Sequence, residues 1–202
     1  MLVSSFFLVI SYLIGSVSFA IIVSKIFGLN DPRNYGSKNP GATNVLRSGK
    51  KIAALLTLLG DSLKGYFVVS LALKFLPNDN YNELLVALMG LCAFLGHIFP
   101  IFYKFKGGKG VATAAGILFA INFYLGIFTI LTWLAVAIFT RYSSLSALIA
   151  SIVAPLICWY MCGDIMDSPF TAVVIIMAVI LIYKHKDNLK RLFSGEETKI
   201  KI

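Results

Sequence analysis

Charge is scarce in this 202-residue chain. Only 13% of its residues are Asp, Glu, Lys or Arg, while 58% are hydrophobic and the mean hydropathy is +0.86. A soluble domain of this length could not hide so much apolar surface in one core, so the composition excludes a water-soluble globular protein and identifies an integral membrane protein. Acids are scarcer still: nine against eighteen Lys and Arg, for a net charge of +9. In a soluble protein that excess would suggest nucleic acid. Here the basic residues lie mostly in loops between apolar runs, where they report topology first, and no nucleic-acid partner is expected. There are two histidines and three cysteines. Cys92, Cys158 and Cys162 all sit in apolar runs, and an odd number implies no disulfide framework. Cys158 and Cys162 would share a helix face, but without a nearby histidine or acid they imply no metal site. No internal repeat, long linker or low-complexity stretch is visible, so residues 1–202 are expected to form a single domain.

What is present is apolar length. Helical spans are readable at 3–27, 52–75, 83–103, 111–139, 144–163 and 169–184. The opening stretch has Ser18 and Ala20 at signal-peptide-like spacing but lacks a basic leading region and is too long, so it is expected to remain as a first span. The fourth span would make a helix of about 43 Å, too long for a hydrocarbon layer of about 30 Å, and "INFYLG" interrupts it at Asn122 and Gly126. Two shorter helices fit better. That choice places Lys25, Arg33, Lys38, Arg47, Lys50, Lys51, Lys104, Lys106, Lys109, Arg141 and the basic tail on one side, and the acidic "PNDNYNE" and "GDIMDS" on the other. By the positive-inside rule the expectation is an all-α bundle of seven transmembrane helices, N-terminus outside and C-terminus cytoplasmic, with a short frayed tail "SGEETKIKI".

Three polar segments then share the cytoplasmic face. The loop "RNYGSKNPGATNVLR" supplies Ser37, Asn39, Thr43 and Asn44 as short hydrogen-bonding side chains, two glycines that leave backbone N–H groups approachable, and Arg47. A helix starting near Gly41 would turn free amides toward an anion, with Arg47 as a bidentate clamp. The same residues are also ordinary turn formers at a membrane surface. "FKGGKGVAT" fails the Walker A pattern, because Lys109 is followed by Gly110 and the position five before Gly108 is Tyr103. Lys106 and Lys109 alone could be topological anchors, whereas Gly107, Gly108 and Gly110 beside them suggest a backbone anion nest. Asp61 and Lys64, three apart inside a span, read as a paired, inward-facing couple, either functional or orienting the helix. His97 reads as a packing residue or a base. His185, with Asn188 three residues on, reads as a substrate contact or a snorkelling edge residue.

Together, "GSKNPGATNVLR", "GHIFPIFYKFKGGKGVAT" and "YKHKDNLKRL", separated by apolar spans and joined by the Asp61–Lys64 pair in "GDSLKG", resemble the bacterial membrane family of acyl-phosphate:glycerol-3-phosphate acyltransferases over essentially the whole chain. The resemblance implies a multi-pass enzyme of the bacterial cytoplasmic (inner) membrane with its active site facing the cytoplasm. It would move an acyl chain from acyl phosphate to the 1-hydroxyl of glycerol 3-phosphate, giving lysophosphatidic acid and phosphate. It would need no cofactor or metal, work among membrane lipids, and be linked functionally to a soluble enzyme that makes acyl phosphate. By motif the resemblance carries over Ser37, Asn39 and Arg47 in the first segment, Lys109 in the second, and His185 with Asn188 in the third. One departure is "RYSSLSA", where Ala147 stands at a position the family often fills with serine; Ser144 or Ser146 would have to substitute. No His-x4-Asp signature is present, since the fifth position after His97 is Phe102 and after His185 is Lys190. The candidate catalytic residues are therefore Arg47, Lys109 and His185. Ser37, Asn39, Thr43, Asn44, Lys106, Gly107, Gly108, Gly110 and Asn188 are the candidate phosphate and substrate contacts. A transporter of a phosphorylated solute is the alternative from another class; it would need matching polar entrances on both faces.

Overall fold

The computed structural model describes residues 2–166 and 168–200, and is all-helical among them. The chain divides into two compact units, residues 1–120 and 121–202. The first holds α1 (Leu2–Gly15), α2 (Phe19–Ile26), α3 (Ala42–Leu46), α4 (Lys51–Phe75), α5 (Asn80–Ile98), a 3-10 turn (Ile101–Tyr103) and nearly all of α6 (Val111–Ile121). The second holds α7 (Phe123–Thr140), α8 (Ser143–Cys162), α9 (Pro169–Lys184) and α10 (Lys186–Phe193).

In the first unit α5 packs on α1 and α4, and α2 and α3 pack on α4. Without a hydrophobic force between helices in lipid, close backbone approach must hold them, and small residues allow it. A Cβ on Gly15 of α1 would strike the backbone of Ala93 on α5, and one on Gly116 of α6 would strike Ser62 O on α4. Phe94, Ile98 and Ile117 are fully buried at this junction. In the second unit α8 lies between α7 and α9. There α7 leaves Phe128, Leu131, Leu134, Ile138 and Phe139 exposed, a face suited to lipid rather than water.

Among the described residues four helices are long and apolar enough to cross a membrane, or up to six if each of two bent pairs is one span. The expected seven is not reached on length and composition among the described residues, because α6 has eleven residues, about 16 Å of helix. The expected first span is broken. Its halves meet at 40° around residues 16–18, where Ser16 Oγ turns back to Tyr12 O at 2.9 Å and the Val17 carbonyl leaves the helical ladder. The expected third span, 83–103, agrees with an apolar span over Asn80–Tyr103, in which the α-helix ends at Ile98, two residues before Pro100, which has no N–H to continue the ladder, and the 3-10 turn follows. The break at Asn122 is where the sequence places it. That residue is extended and its Oδ1 accepts from the N–H groups of Tyr124 (2.9 Å) and Leu125 (3.2 Å), capping α7. The tail corrects the expectation of fraying: Ile200 N donates to Arg141 O at 2.7 Å, and Glu197 is tied down as described below.

Candidate active site

The first loop of the site is organised by Asn44, which is 2% exposed. Its amide nitrogen donates to the carbonyls of Pro32 (2.7 Å) and Tyr35 (3.1 Å), while its Oδ1 accepts from Ser37 N (3.0 Å). With both amide protons used inside the loop, Asn44 shapes it, leaving donation to an anion to its neighbours. Gly36, at φ +56°, is held close by this bond, and a Cβ there would collide with Asn44 Oδ1. A helix does begin after Gly41, as expected, but α3 has only five residues, so its dipole contributes little. Thr43 and Asn39 are half-buried beside it, and Ser37 and Arg47 are exposed. Asp31, the one acid between residues 27 and 50, is taken by Arg33 at 2.6 Å, and that hydrogen-bonded guanidinium holds its carboxyl below the usual range. Lys38 and Arg47 form no ion pair among the described residues, so the loop presents net positive charge.

The glycine-rich segment folds back on the end of α5. Lys104 and Phe105 both adopt left-handed φ near +55 to +59°, a sparsely populated conformation for non-glycine residues, and Phe105 N donates to Pro100 O at 2.9 Å. This reversal brings Gly107 and Gly108 against His97. Gly108 N donates to His97 O at 3.1 Å. A Cβ on Gly107 would strike that carbonyl, and one on Gly108 would strike His97 Nε2 and lie 3.0 Å from Pro40 O. The two motifs therefore meet: "NPGATN" reaches "FKGGKG" at Pro40 and Gly108, and Arg33 lies over the Tyr103 ring at 5.7 Å. Gly108 and Gly110 are buried, Gly107 and Lys109 are half-buried, and Lys106 is exposed. The expected anion nest is corrected in part: Gly108 N is spent on His97 O and Lys106 N on Tyr103 O at 3.2 Å, so what suits a phosphate group here is chiefly the cationic side chains without an unpaired acid.

Beneath it lies a buried charged cluster. Lys64 Nζ is 2.8 Å from Asp61 Oδ1 as an ion pair, donates to Val17 O at 2.7 Å and is 3.0 Å from His97 Nδ1. The side chains of Asp61, Lys64 and His97 are 2%, 3% and 6% exposed. Sequence reasoning paired Asp61 with Lys64, but the third member and the broken-span carbonyl were outside its reach. The run of small residues "GSVS" inside an apolar stretch was the available signal for the break.

In the second unit α9 and α10 meet at 56°, and His185 occupies the corner. Its Nδ1–H donates to Leu181 O at 2.8 Å, which in the neutral ring puts the lone pair on Nε2. Asn188, one helical turn on, donates from Nδ2 to Glu197 Oε1 at 2.7 Å. Ser144 Oγ donates to the same oxygen at 2.7 Å, and Arg191 Nε to Oε2 at 2.8 Å. Burial alone would raise the Glu197 pKa, yet these three hydrogen bonds outweigh it and hold the carboxyl below its usual range. Ser144 is thus engaged by the tail, and Ser146 Oγ donates to Tyr142 O in its own helix at 2.8 Å. Glu197 is the neighbour of the candidate residue Asn188 that the sequence reading missed. No pattern along the chain distinguishes it from Glu196. Among the described residues no group of three or more His, Cys, Asp or Glu is placed to hold a metal ion.

Residues 5–195 match the family model described as glycerol-3-phosphate acyltransferase. A glycerol-3-phosphate acyltransferase of Paraburkholderia phymatum is 54% identical over 192 residues, covering 95% of this chain and 90% of the relative. One of Cupriavidus necator is 53% identical over 195 residues, covering 96% and 95%. The crystal structure of PlsY (YgiH), an integral membrane glycerol 3-phosphate acyltransferase, in its glycerol 3-phosphate form, superposes with a TM-score of 0.90 at 35% identity, covering 98% of this chain and 96% of that one. Its lysophosphatidic acid form gives 0.87 at 34% identity, covering 97% and 94%.

Proposed function

The chain belongs to the glycerol-3-phosphate acyltransferase family of integral membrane proteins, and from that premise we propose that it transfers an acyl chain from acyl phosphate to the 1-hydroxyl of glycerol 3-phosphate, releasing lysophosphatidic acid and phosphate. The observation that carries the reading is the junction of the two motif loops at Pro40 and Gly108, with Arg47 on one loop and Lys106 and Lys109 on the other. Both substrates bear phosphate, and loops that bring cationic side chains together are a means of gripping it.

The hydroxyl oxygen attacks the acyl carbonyl carbon, a new ester C–O bond forms, and the bond from that carbon to the phosphate oxygen breaks. Arg47, Lys109 and nearby N–H groups stabilise the charge gathering on the departing phosphate, while Ser37, Asn39 and Thr43 hold substrate. The hydroxyl proton needs an acceptor. A phosphate oxygen can serve, and His185 is the protein's own candidate, because its Nδ1–H bond to Leu181 O leaves the lone pair on Nε2. Asn188 contributes a substrate contact. The enzyme works as a single domain in the bacterial inner membrane, with α6 serving as a short seventh helix, the N-terminus outside and the loops in the cytoplasm, where a soluble enzyme supplies the donor.

Arg47→Ala and Lys109→Ala should each abolish glycerol 3-phosphate-dependent phosphate release from acyl phosphate by purified, folded protein. Near-normal rates in either would remove that residue from the mechanism. Solute flux in liposomes without any acylated product would replace the enzyme reading with transport.

A further inference from the structure

The cluster of Asp61, Lys64 and His97 is buried and meets Gly108 through His97, and the mechanism above does not use it. Burying two charges costs several kcal/mol per ion unless each is matched, so the cluster is an expensive way merely to hold helices together. Its geometry is specific. Lys64 has three polar partners: it ion-pairs with Asp61 Oδ1 on α4 itself, donates to Val17 O at the break in the first span, and lies 3.0 Å from His97 Nδ1 on α5. Donation from the ammonium makes Nδ1 an acceptor, so the neutral ring carries its proton on Nε2. That Nε2 edge lies against Gly108, and the carbonyl of the same residue accepts from Gly108 N. One residue therefore supports the glycine-rich loop twice, through its ring and its backbone, while Lys64 fixes the orientation of the ring.

We propose that Asp61, Lys64 and His97 are positioning residues: the ion pair locks the His97 imidazole under Gly108, and the locked ring sets the height and orientation of the loop backbone from residue 107 to 109. The broken first span has a part in this, because a continuous helix would keep the Val17 carbonyl in its own ladder and deprive Lys64 of that acceptor. None of the three residues needs to touch substrate. The inference rests on the reading that this loop holds a substrate phosphate, and its first readout does not depend on that reading.

The test is His97→Asn in purified protein shown to be folded and monodisperse. The introduced amide oxygen can keep the place of Nδ1 and satisfy Lys64, while the space under Gly108 empties. Amide hydrogen exchange at residues 107–109 should accelerate, and inhibition by inorganic phosphate and the KM of the substrate held there should each weaken about tenfold, with kcat changed less than about threefold. Unchanged exchange and unchanged KM would overturn the proposal. So would a hundredfold fall in kcat at constant KM, since His97 would then be acting on the reacting atoms. As a second measurement, Gly108→Ala should be harmful in the parent protein and add little in the His97→Asn background. Additive losses would show that the Nε2 edge is not the support. If His97→Asn loosens the loop while Arg47→Ala and Lys109→Ala retain turnover, the positioning device stands and the assignment of the loop to phosphate falls.

Discussion

The two units use opposite means to hold polar groups at the ends of apolar helices. In the first, the site is made of backbone: Gly107 and Gly108 are pressed against His97, and the fixed charges lie beneath them, buried. In the second, it is made of side chains: His185 and Asn188 project from a bent helix pair, and a carboxylate from the tail secures Asn188. A backbone site is specified by what cannot be added to it. A side-chain site is specified by what must not be removed. Sensitivity to mutation should therefore invert between the units, with small additions harmful in one and a single truncation harmful in the other.

The largest effect is expected at Gly107. In Gly107→Ala the new Cβ meets the His97 carbonyl and Pro100 Cδ, neither of which is the end of a flexible side chain, so the loop must shift. Displacement on this scale costs roughly a hundredfold in turnover. Gly49→Ala, where nothing lies within 4 Å and only the left-handed φ of +84° is strained, should leave activity nearly intact. Equal losses at the two positions would mean that the close approach at Gly107 is not what specifies the first unit's loop.

Next in size is Glu197→Ala, which deprives Asn188, Ser144 and Arg191 of a common acceptor whose side chain is 6% exposed. The expected loss is about 1–3 kcal/mol of stability in the second unit, read by thermal unfolding in detergent, together with a fall in activity. Glu197→Gln should retain part of both, since an amide oxygen can still accept.

The same contact has a pH signature. The folded pKa of Glu197 is lowered from 4.5, so its contribution is fully present above that value and is lost as pH falls through the folded pKa. A spin label at Ser194 should stay ordered from neutral pH to about 5 and become mobile only in stronger acid. Release near pH 6 would contradict the hydrogen-bonded carboxylate.

The smallest effect is expected for Asp31→Asn in the first unit. Its partner Arg33 and Asp31 itself are 33% and 28% exposed, so the pair contributes only about 0–1 kcal/mol, screened by salt. A large loss would mean that the Arg33 contact over Tyr103 depends on this pair and that side chains organise the first loop as well.

Helices α4 through α9 were legible because apolar length and glycine or proline punctuation are local properties. Asn122 is the clearest case, a short polar side chain able to cap the helix after it. The motif residues could be singled out as candidates because glycines beside lysines stand out in an apolar chain. The break at residues 16–18 was less so, since each half is as apolar as the other and the carbonyl released there finds its donor 47 positions away. Glu197 was hidden for the same reason: its partners lie 53, 9 and 6 residues away.

The sequence by itself determined that the chain lives in a membrane, where its helices run within a few residues, and which short polar segments are candidates for anion chemistry. These follow from transfer free energy and turn stereochemistry, which act residue by residue. Only the tertiary structure decided that His97 rather than solvent lies under Gly108, that Lys64 meets Asp61, Val17 O and His97 together, and that the tail is a clip. Each of those is a contact between groups distant in sequence, created when burial forces every polar group to find a partner wherever the packing brings one.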